Sequence, residues 1–204
     1  FHEALTNEEI AAVFGVMAAS PQHTYQILTK RSRRMAEWFK WLEREQKLVA
    51  DAWVPLLSET CSLLSNVWAE RLQEDGFARS TDQEPWPIPN VWLGVSVEAA
   101  DYKYRLDDLR ACPAAVRFTS LEPLLDDLGT VDFTSIDQAI VGAESGRGAR
   151  PMHEDWVRSL RDQATAQGTA FFFKQKLNEK GHKVSLPTLD GRTWGEMPAR
   201  VVPQ

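Results

Sequence analysis

Five short apolar runs punctuate the chain, and each of them ends in a group of polar side chains. The runs cover residues 25–28, 91–95, 116–119, 139–142 and 170–173. Apolar runs of this length are typical of strands that are buried on both faces, as in a parallel sheet. If the strands are parallel, the polar groups that follow them meet at one edge of the sheet, where α/β folds place their active sites. The pattern therefore predicts an α/β fold with a candidate site at the carboxyl edge.

Apolar residues at helical spacing fill the intervals between the predicted strands. Thr6 and Glu9 form the capping-box pattern that starts a first helix. Further helices are predicted from Ser32 onward and around residues 104–109 and 156–164. Gly168 suits the position just past the end of the last of these helices. The intervals from Ser96 to Ser120 and from Ser120 to Glu144 are each about two dozen residues, close to the length of a βαβ unit.

Residues 43–82 interrupt this rhythm, because apolar residues recur there at helical spacing over more length than a crossover needs. We interpret them as a helical insertion that forms a lid or hairpin, or alternatively as an ordinary helix layer outside the sheet. Residues 189–194 contain an Asp-Gly turn and are expected to form a loosely attached closing segment.

The organisation predicts a single α/β domain over residues 1–204, with residues 43–82 inserted after the first visible strand. A closed barrel needs eight strands, and the chain opens on what reads as the helix half of a βα unit. We therefore expect the C-terminal part of a longer, partial parallel βα barrel of the TIM-like type.

Composition narrows the picture only slightly. The formal net charge is −6, so the overall field does not attract nucleic acid or an acidic membrane. The local cluster of Lys30, Arg31, Arg33 and Arg34 runs against that trend. No apolar run approaches the length of a membrane-spanning helix, and the opening residues do not resemble a signal peptide. We expect a cytoplasmic protein with no membrane partner.

Carboxylates follow three successive strands of the predicted sheet. Glu98, Glu122 and Glu144 come at or just past these strand ends. In a shared pocket, repulsion and burial would raise one carboxyl pKa and keep another low. Alternatively, each carboxylate caps a helix or pairs with an arginine. Lys30 and Lys174 place cations at the first and last strand ends, where the carboxylates would stabilise them.

Other polar and aromatic residues have weaker claims. The glycine-rich turn that starts at Gly142 could approach a phosphate, carboxylate or nucleoside, or could be an ordinary tight turn. Trp86 and Trp92 could stack on a base, or fill the core. Arg150 and His153 could reach the same rim. No metal-ligand spacing is present, so no metal site is predicted.

The cysteines point to free thiols. Cys61 and Cys112 are far apart in the chain, and this spacing favours a reducing compartment over a disulfide framework.

Six ordered motifs resemble an uncharacterised family of phage and bacterial proteins that is regarded as radical-SAM-like, with a partial βα barrel. The motifs cover residues 23–31, 90–98, 117–125, 141–146, 171–175 and 189–198. The resemblance extends over nearly the whole chain outside residues 43–82.

The resemblance implies two cofactors, S-adenosylmethionine and a four-iron four-sulfur cluster. Members of the family carry an N-terminal three-cysteine cluster in a segment that precedes the residues matching Phe1. This chain begins after that point, and neither Cys61 nor Cys112 can replace three clustered thiolates. We expect either a further N-terminal part or a natural truncated relative that lacks the iron-dependent chemistry.

The resemblance also implies roles for the strand-end residues. Cofactor-binding roles fall to Ser96, Gly142, Glu144 and Ser145. Catalytic positioning falls to Lys30, Glu98, Glu122 and Lys174, with Glu98 and Glu122 also near the cofactor. The implied activity is reductive cleavage of S-adenosylmethionine and hydrogen abstraction from a substrate, with nucleic acid as one candidate substrate.

Two other functions stay open at this stage. The first is a non-catalytic module that binds a nucleotide, nucleic acid or protein through the same rim. The second is a hydrolase that uses Glu122 and Glu144 as an acid/base pair. A cysteine-rich segment upstream of Phe1 would favour the enzyme, and a native start near Phe1 would favour the binding module.

Overall fold

The computed structural model describes residues 1–18, 20–48 and 87–199, which form a mixed α/β fold. Four α-helices lie within these residues. They are α1 (Asn7–Ala18), α2 (Ser32–Leu48), α3 (Tyr104–Arg110) and α4 (Glu154–Ala166). A short 3₁₀ turn, Ala100–Tyr102, precedes α3. All four predicted helices are therefore present.

The strands form a mostly parallel sheet of six and a separate hairpin. The sheet contains β1 (Tyr25–Thr29), β2 (Val91–Ser96), β3 (Val116–Leu121), β4 (Gln138–Gly142), β5 (Ala170–Leu177) and β6 (Lys183–Ser185), in that order. β3, β4 and β5 pair in parallel, whereas β6 runs antiparallel to β5. The hairpin joins β7 (Thr188–Leu189) to β8 (Arg192–Thr193). The five predicted strands are confirmed, and β6 to β8 were not predicted because they are too short to show a pattern.

Burial distinguishes the first strand from its neighbours. Every residue of β2 is buried, as are all but one of β3, which confirms the reading of these runs as central strands. β1 instead alternates between half-buried and exposed residues, and Leu28 is 49% exposed. The prediction that β1 is buried on both faces was wrong, because β1 is the outermost strand in the order of the sheet.

The chain divides into two compact units. The first comprises residues 1–27, 31–92 and 111–115, and the second comprises residues 28–30, 93–110 and 116–204. The prediction of a single domain stays a prediction. Residues 43–48 complete α2, and the rest of the predicted insertion, 49–82, lies outside the described residues.

Aromatic packing fixes the helices of the first unit. The ring of Phe14 on α1 stacks on that of Trp38 on α2, with centroids 4.7 Å apart. Trp38 also donates a hydrogen bond from Nε1 to the carbonyl of Asn7 at 3.0 Å. The predicted capping box is confirmed, because Thr6 N–H and Glu9 N–H each bond to the other residue's side chain, at 2.8 and 3.2 Å.

The C-terminal segment of the second unit is firmly bound. Phe173 N–H donates to the carbonyl of Trp194 at 2.8 Å, and Glu196 N–H donates to the carbonyl of Phe171 at 3.1 Å. The Asp190 carboxylate pairs with Arg158 and Arg161 of α4 at 2.9 and 2.5 Å. The prediction of a loosely attached tail was wrong, because the Asp-Gly signal indicates a turn and carries no information about these distant partners.

Among the helices in the described ranges, none combines the length and the apolar character that crossing a membrane requires.

Removing the Glu196 carboxylate should destabilise the second unit. Its Oε2 accepts a hydrogen bond from the partly buried Phe171 N–H at 3.1 Å. Glu196→Ala leaves that N–H unpaired, so we expect a loss of about 1–3 kcal/mol in urea denaturation. Glu179→Ala, at an exposed position, is the control. Equal midpoints for the two variants would contradict the assignment.

Candidate functional site at the carboxyl edge

Backbone hydrogen bonds join the segments at the carboxyl ends of successive strands. Leu125 N–H donates to the carbonyl of Glu98 at 3.0 Å, and Leu124 N–H donates to the carbonyl of Gly142 at 2.9 Å. Ala143 N–H in turn donates to the carbonyl of Gln175 at 3.0 Å. The segments that follow β2, β3 and β4 therefore meet one another and β5 at one edge, as the strand pattern predicted.

Glu98 is a buried carboxylate with two cationic partners. It is 4% exposed and lies two residues beyond Ser96, the last residue of β2. Its Oε1 lies against Lys30 Nζ in ion-pair contact. Its Oε2 accepts a hydrogen bond from Arg105 Nη1 at 3.0 Å. The Lys30 side chain is 62% exposed, so the buried carboxylate holds an ammonium group that solvent can reach.

Arg105 was missed by the sequence reasoning. It lies on α3 and is 7% exposed, and its Nη1 also donates to the carbonyl of Ser96 at 2.8 Å. Its guanidinium carbon stands 4.2 Å from the centre of the Tyr102 ring. A signal was available, because Arg105 precedes the buried Leu109 by four residues and so shares its helix face.

Glu122 is the second paired carboxylate of the edge. Its Oε2 lies 2.8 Å from Lys174 Nζ, and its Oε1 accepts a hydrogen bond from Gln175 Nε2 at 2.8 Å. Gln175 Nε2 also donates to the carbonyl of Ala143 at 2.9 Å. The Lys174 side chain is 53% exposed, so this pair repeats the arrangement of Lys30 on Glu98. Lys174 and Gln175 lie within β5, which continues beyond its predicted end.

Gly142 allows Glu122 to cross β4. A Cβ atom at Gly142 would stand 3.0 Å from Glu122 Cδ and 3.3 Å from Gln175 Cγ. Only a residue without a side chain leaves this space for the Glu122 carboxylate on its way from β3 to β5. The role of Gly142 in binding a cofactor stays a prediction.

Glu144 is paired separately from the other carboxylates. It accepts hydrogen bonds from the Arg150 backbone N–H at 2.8 Å and from Arg150 Nε and Nη2 at 2.8 and 2.6 Å. The side-chain bonds, followed by the backbone bond, lower the pKa of the Glu144 carboxyl to about 2. A carboxyl that is ionised at neutral pH has no proton to donate, so the geometry does not support Glu144 as a general acid.

The remaining candidates take different positions. Ser96 is buried, whereas Ser145 is exposed on the turn after β4. Trp92 is buried in β2, which supports the alternative that it fills the core. Trp86 lies outside the described residues. His153 packs its ring 4.6 Å from that of Trp156 and makes no capping hydrogen bond with its side chain.

The described residues do not supply ligands for an iron–sulfur cluster. Within residues 1–18, 20–48 and 87–199, no three His, Cys, Asp or Glu side chains are grouped so that they could hold a metal ion. Cys112 is buried, and Cys61 lies outside the described residues, so the prediction about the two thiols stays a prediction. The donor set present here therefore does not fit the cluster.

Comparison with known proteins gives a family and no activity. Residues 1–198 match the model of a family that is described as a protein of unknown function, DUF5131. No curated protein and no solved structure matches the chain.

Adding a methyl group at Gly142 should displace the Glu122 carboxylate. We expect Gly142→Ala to lower the free energy of unfolding by about 1–3 kcal/mol, because the methyl overpacks a filled space. Gly195→Ala is the matched control, since its nearest neighbour outside the backbone would stand 3.6 Å away. In a Glu122→Ala background the cost of Gly142→Ala should shrink. An unchanged cost in that double-mutant cycle would show that Glu122 does not occupy the space.

The Glu144 carboxyl should titrate near pH 2 in a ¹³C NMR titration. Because its pKa is lower in the folded chain than the ordinary value of about 4.3, the pair stabilises the fold above that value. This contribution declines as the pH falls from about 4 towards 2. Arg150→Gln should raise the Glu144 pKa only part of the way to normal, because the backbone hydrogen bond remains. A wild-type midpoint near pH 4 would contradict the pairing.

Proposed function

The chain belongs to the DUF5131 family, and from the geometry of its sheet edge we propose that it is a radical-SAM-like domain that binds S-adenosylmethionine at that edge. The proposed architecture is a barrel-type arrangement of the parallel strands. The substrate is a separate molecule, with nucleic acid as one candidate. The observation that carries the proposal is the joining of the strand ends around the buried Glu98 and the partly buried Glu122, each of which contacts an exposed lysine.

The chemistry of these side chains suits the polar parts of S-adenosylmethionine. The cofactor has a carboxylate and an ammonium group at one end and ribose hydroxyl groups at the other. Lys30 and Lys174 offer ammonium groups to a carboxylate, whereas Glu98 and Glu122 offer oxygen acceptors to an ammonium group or to hydroxyls. Ser145, which is exposed and follows Glu144 in the chain, offers a further hydroxyl donor. Hydrogen abstraction would in addition need an electron that cleaves the bound cofactor, from a cluster whose ligands lie outside the described residues.

The pairing of the charges indicates how the edge would act. A lysine held against a buried carboxylate loses freedom before any ligand arrives, so less entropy is lost on binding. The described residues would then position cofactor and substrate, and any cluster would need ligands from outside them. We assign no proton-transfer step to these carboxylates.

A second function, that of a non-catalytic binding module, has its own supporting observation. Glu98, Glu122 and Glu144 each have at least one cationic partner. Ion-paired carboxylates of this kind can hold cations in position for binding a ligand, whether or not a reaction follows. The module would bind a nucleotide or nucleic acid through the exposed lysines and would ignore S-adenosylmethionine.

Equilibrium dialysis with S-adenosylmethionine tests the leading proposal without an iron–sulfur cluster. We expect saturable binding that Glu98→Gln weakens about tenfold or more, because a charge-assisted hydrogen bond contributes about 1.5–3 kcal/mol. Asp107→Asn is the control, since it also removes a carboxylate paired with an arginine, Arg110, on α3.

Each outcome of the dialysis decides between the functions. Binding that depends on Glu98 supports the radical-SAM-like domain. An absence of binding removes it, and binding of a single-stranded oligonucleotide in its place supports the module. Equal effects of Glu98→Gln and Asp107→Asn would show that the ligand lies elsewhere.

A further inference from the structure

The cluster around Glu98 carries more positive than negative charge. Lys30 and Arg105 both contact this one carboxylate. At Glu122, by contrast, the carboxylate contacts one lysine and a neutral glutamine. At Glu144 the carboxylate contacts one arginine. Among the contacts of the described part of the chain, one unit of positive charge is therefore left uncompensated at Glu98, whereas the charges at Glu122 and Glu144 balance.

Arg105 contains a donor that no acceptor among the described residues satisfies. Its Nε is buried and has no hydrogen-bond partner within residues 1–18, 20–48 and 87–199, and the residue as a whole is only 7% exposed. Buried donors are nearly always paired, and an unpaired donor on a charged group is costlier than one on a neutral group. The Tyr102 ring covers the guanidinium at 4.2 Å and stabilises it as a cation without accepting a hydrogen bond in its plane.

We infer that Lys30, Glu98 and Arg105 form a binding site for a singly charged oxyanion group of a ligand. Such a group would balance the excess charge, and its oxygens would accept from an ammonium and a guanidinium donor. Glu98 acts as the positioning residue, because it holds both cations. The inference deepens the proposed function, on whose sheet edge it rests, by naming the chemical class of the group bound beside β2.

Two sources supply a singly charged oxyanion. One is the phosphodiester of a nucleic-acid substrate, and the other is a carboxylate such as that of the methionyl end of S-adenosylmethionine. Each of these groups carries a single negative charge on oxygen atoms that accept hydrogen bonds, so Lys30, Glu98 and Arg105 could bind either group. The sources differ in what else the ligand carries, and this difference allows an experiment to separate them.

An NMR binding titration with two pairs of probes tests the site. The first pair is the dinucleotide TpT and its uncharged methylphosphonate analogue. The second pair is S-adenosylmethionine and its decarboxylated form. In at least one pair, we expect the probe with the anionic group to bind at least tenfold more tightly than the probe without it. Binding of that anionic probe should also shift the Arg105 Nε–H resonance.

Variants decide whether this preference comes from the cluster. Lys30→Gln, at an exposed position, should reduce the preference about tenfold, whereas Lys40→Gln, an exposed lysine on α2, should leave it unchanged. Arg105→Lys keeps the charge but loses the planar donors, so it too should weaken binding of the anionic probe. A thermal melt checks that this variant is folded.

The outcomes separate this inference from the proposed function. Preference for TpT that depends on Lys30, without any binding of S-adenosylmethionine, upholds the oxyanion site and overturns the cofactor proposal. If S-adenosylmethionine binds, but Lys30→Gln does not change the preference for the charged probe in either pair, the oxyanion site is overturned and the cofactor proposal stands. Preference confined to the carboxylate pair assigns the site to the methionyl end of the cofactor.

Discussion

A carboxylate that leaves water needs a cationic or hydrogen-bonding partner, and this requirement organises the carboxyl edge of the sheet. Glu98 and Glu122 are withdrawn from solvent, and each lies against a lysine whose own side chain is more than half exposed. Because the lysines are exposed, each ion pair contributes only about 0–1 kcal/mol. What the pairs do is keep each ammonium group beside a carboxylate whose position the fold sets, where solvent and ligands can reach it.

The backbone reinforces what these pairs establish. Amides of Leu124, Leu125 and Ala143 donate to carbonyls that belong to other strand ends, so the connecting segments support one another. A site that is assembled before its ligand arrives spends less binding energy on ordering its own side chains. The edge of this sheet thus holds exposed charged groups on a rigid backbone. Both ligand recognition and catalysis require charged groups that are held in position in this way.

Local features of this fold could be predicted from sequence, and nonlocal ones could not. The apolar runs of β2 and β3 and the Thr6–Glu9 capping box depend on neighbouring residues, so their patterns predicted the observed elements. The partnership of Glu122 with Gln175 joins residues 53 positions apart, and no periodicity reports such a contact. Arg105 was overlooked for a related reason, since a charged residue on an apolar helix face gives a signal without identifying its partner.

The passage of one side chain over Gly142 has an evolutionary consequence. Three neighbouring strands contribute to a single arrangement, in which β3 supplies the acid, β4 supplies the gap and β5 supplies the amide and the ammonium group. The side chains that fit at positions 122, 142 and 175 therefore depend on one another. A homologue that has acquired a side chain at position 142 should also have shortened the residue at 122, and this covariation would trace the contact through the family.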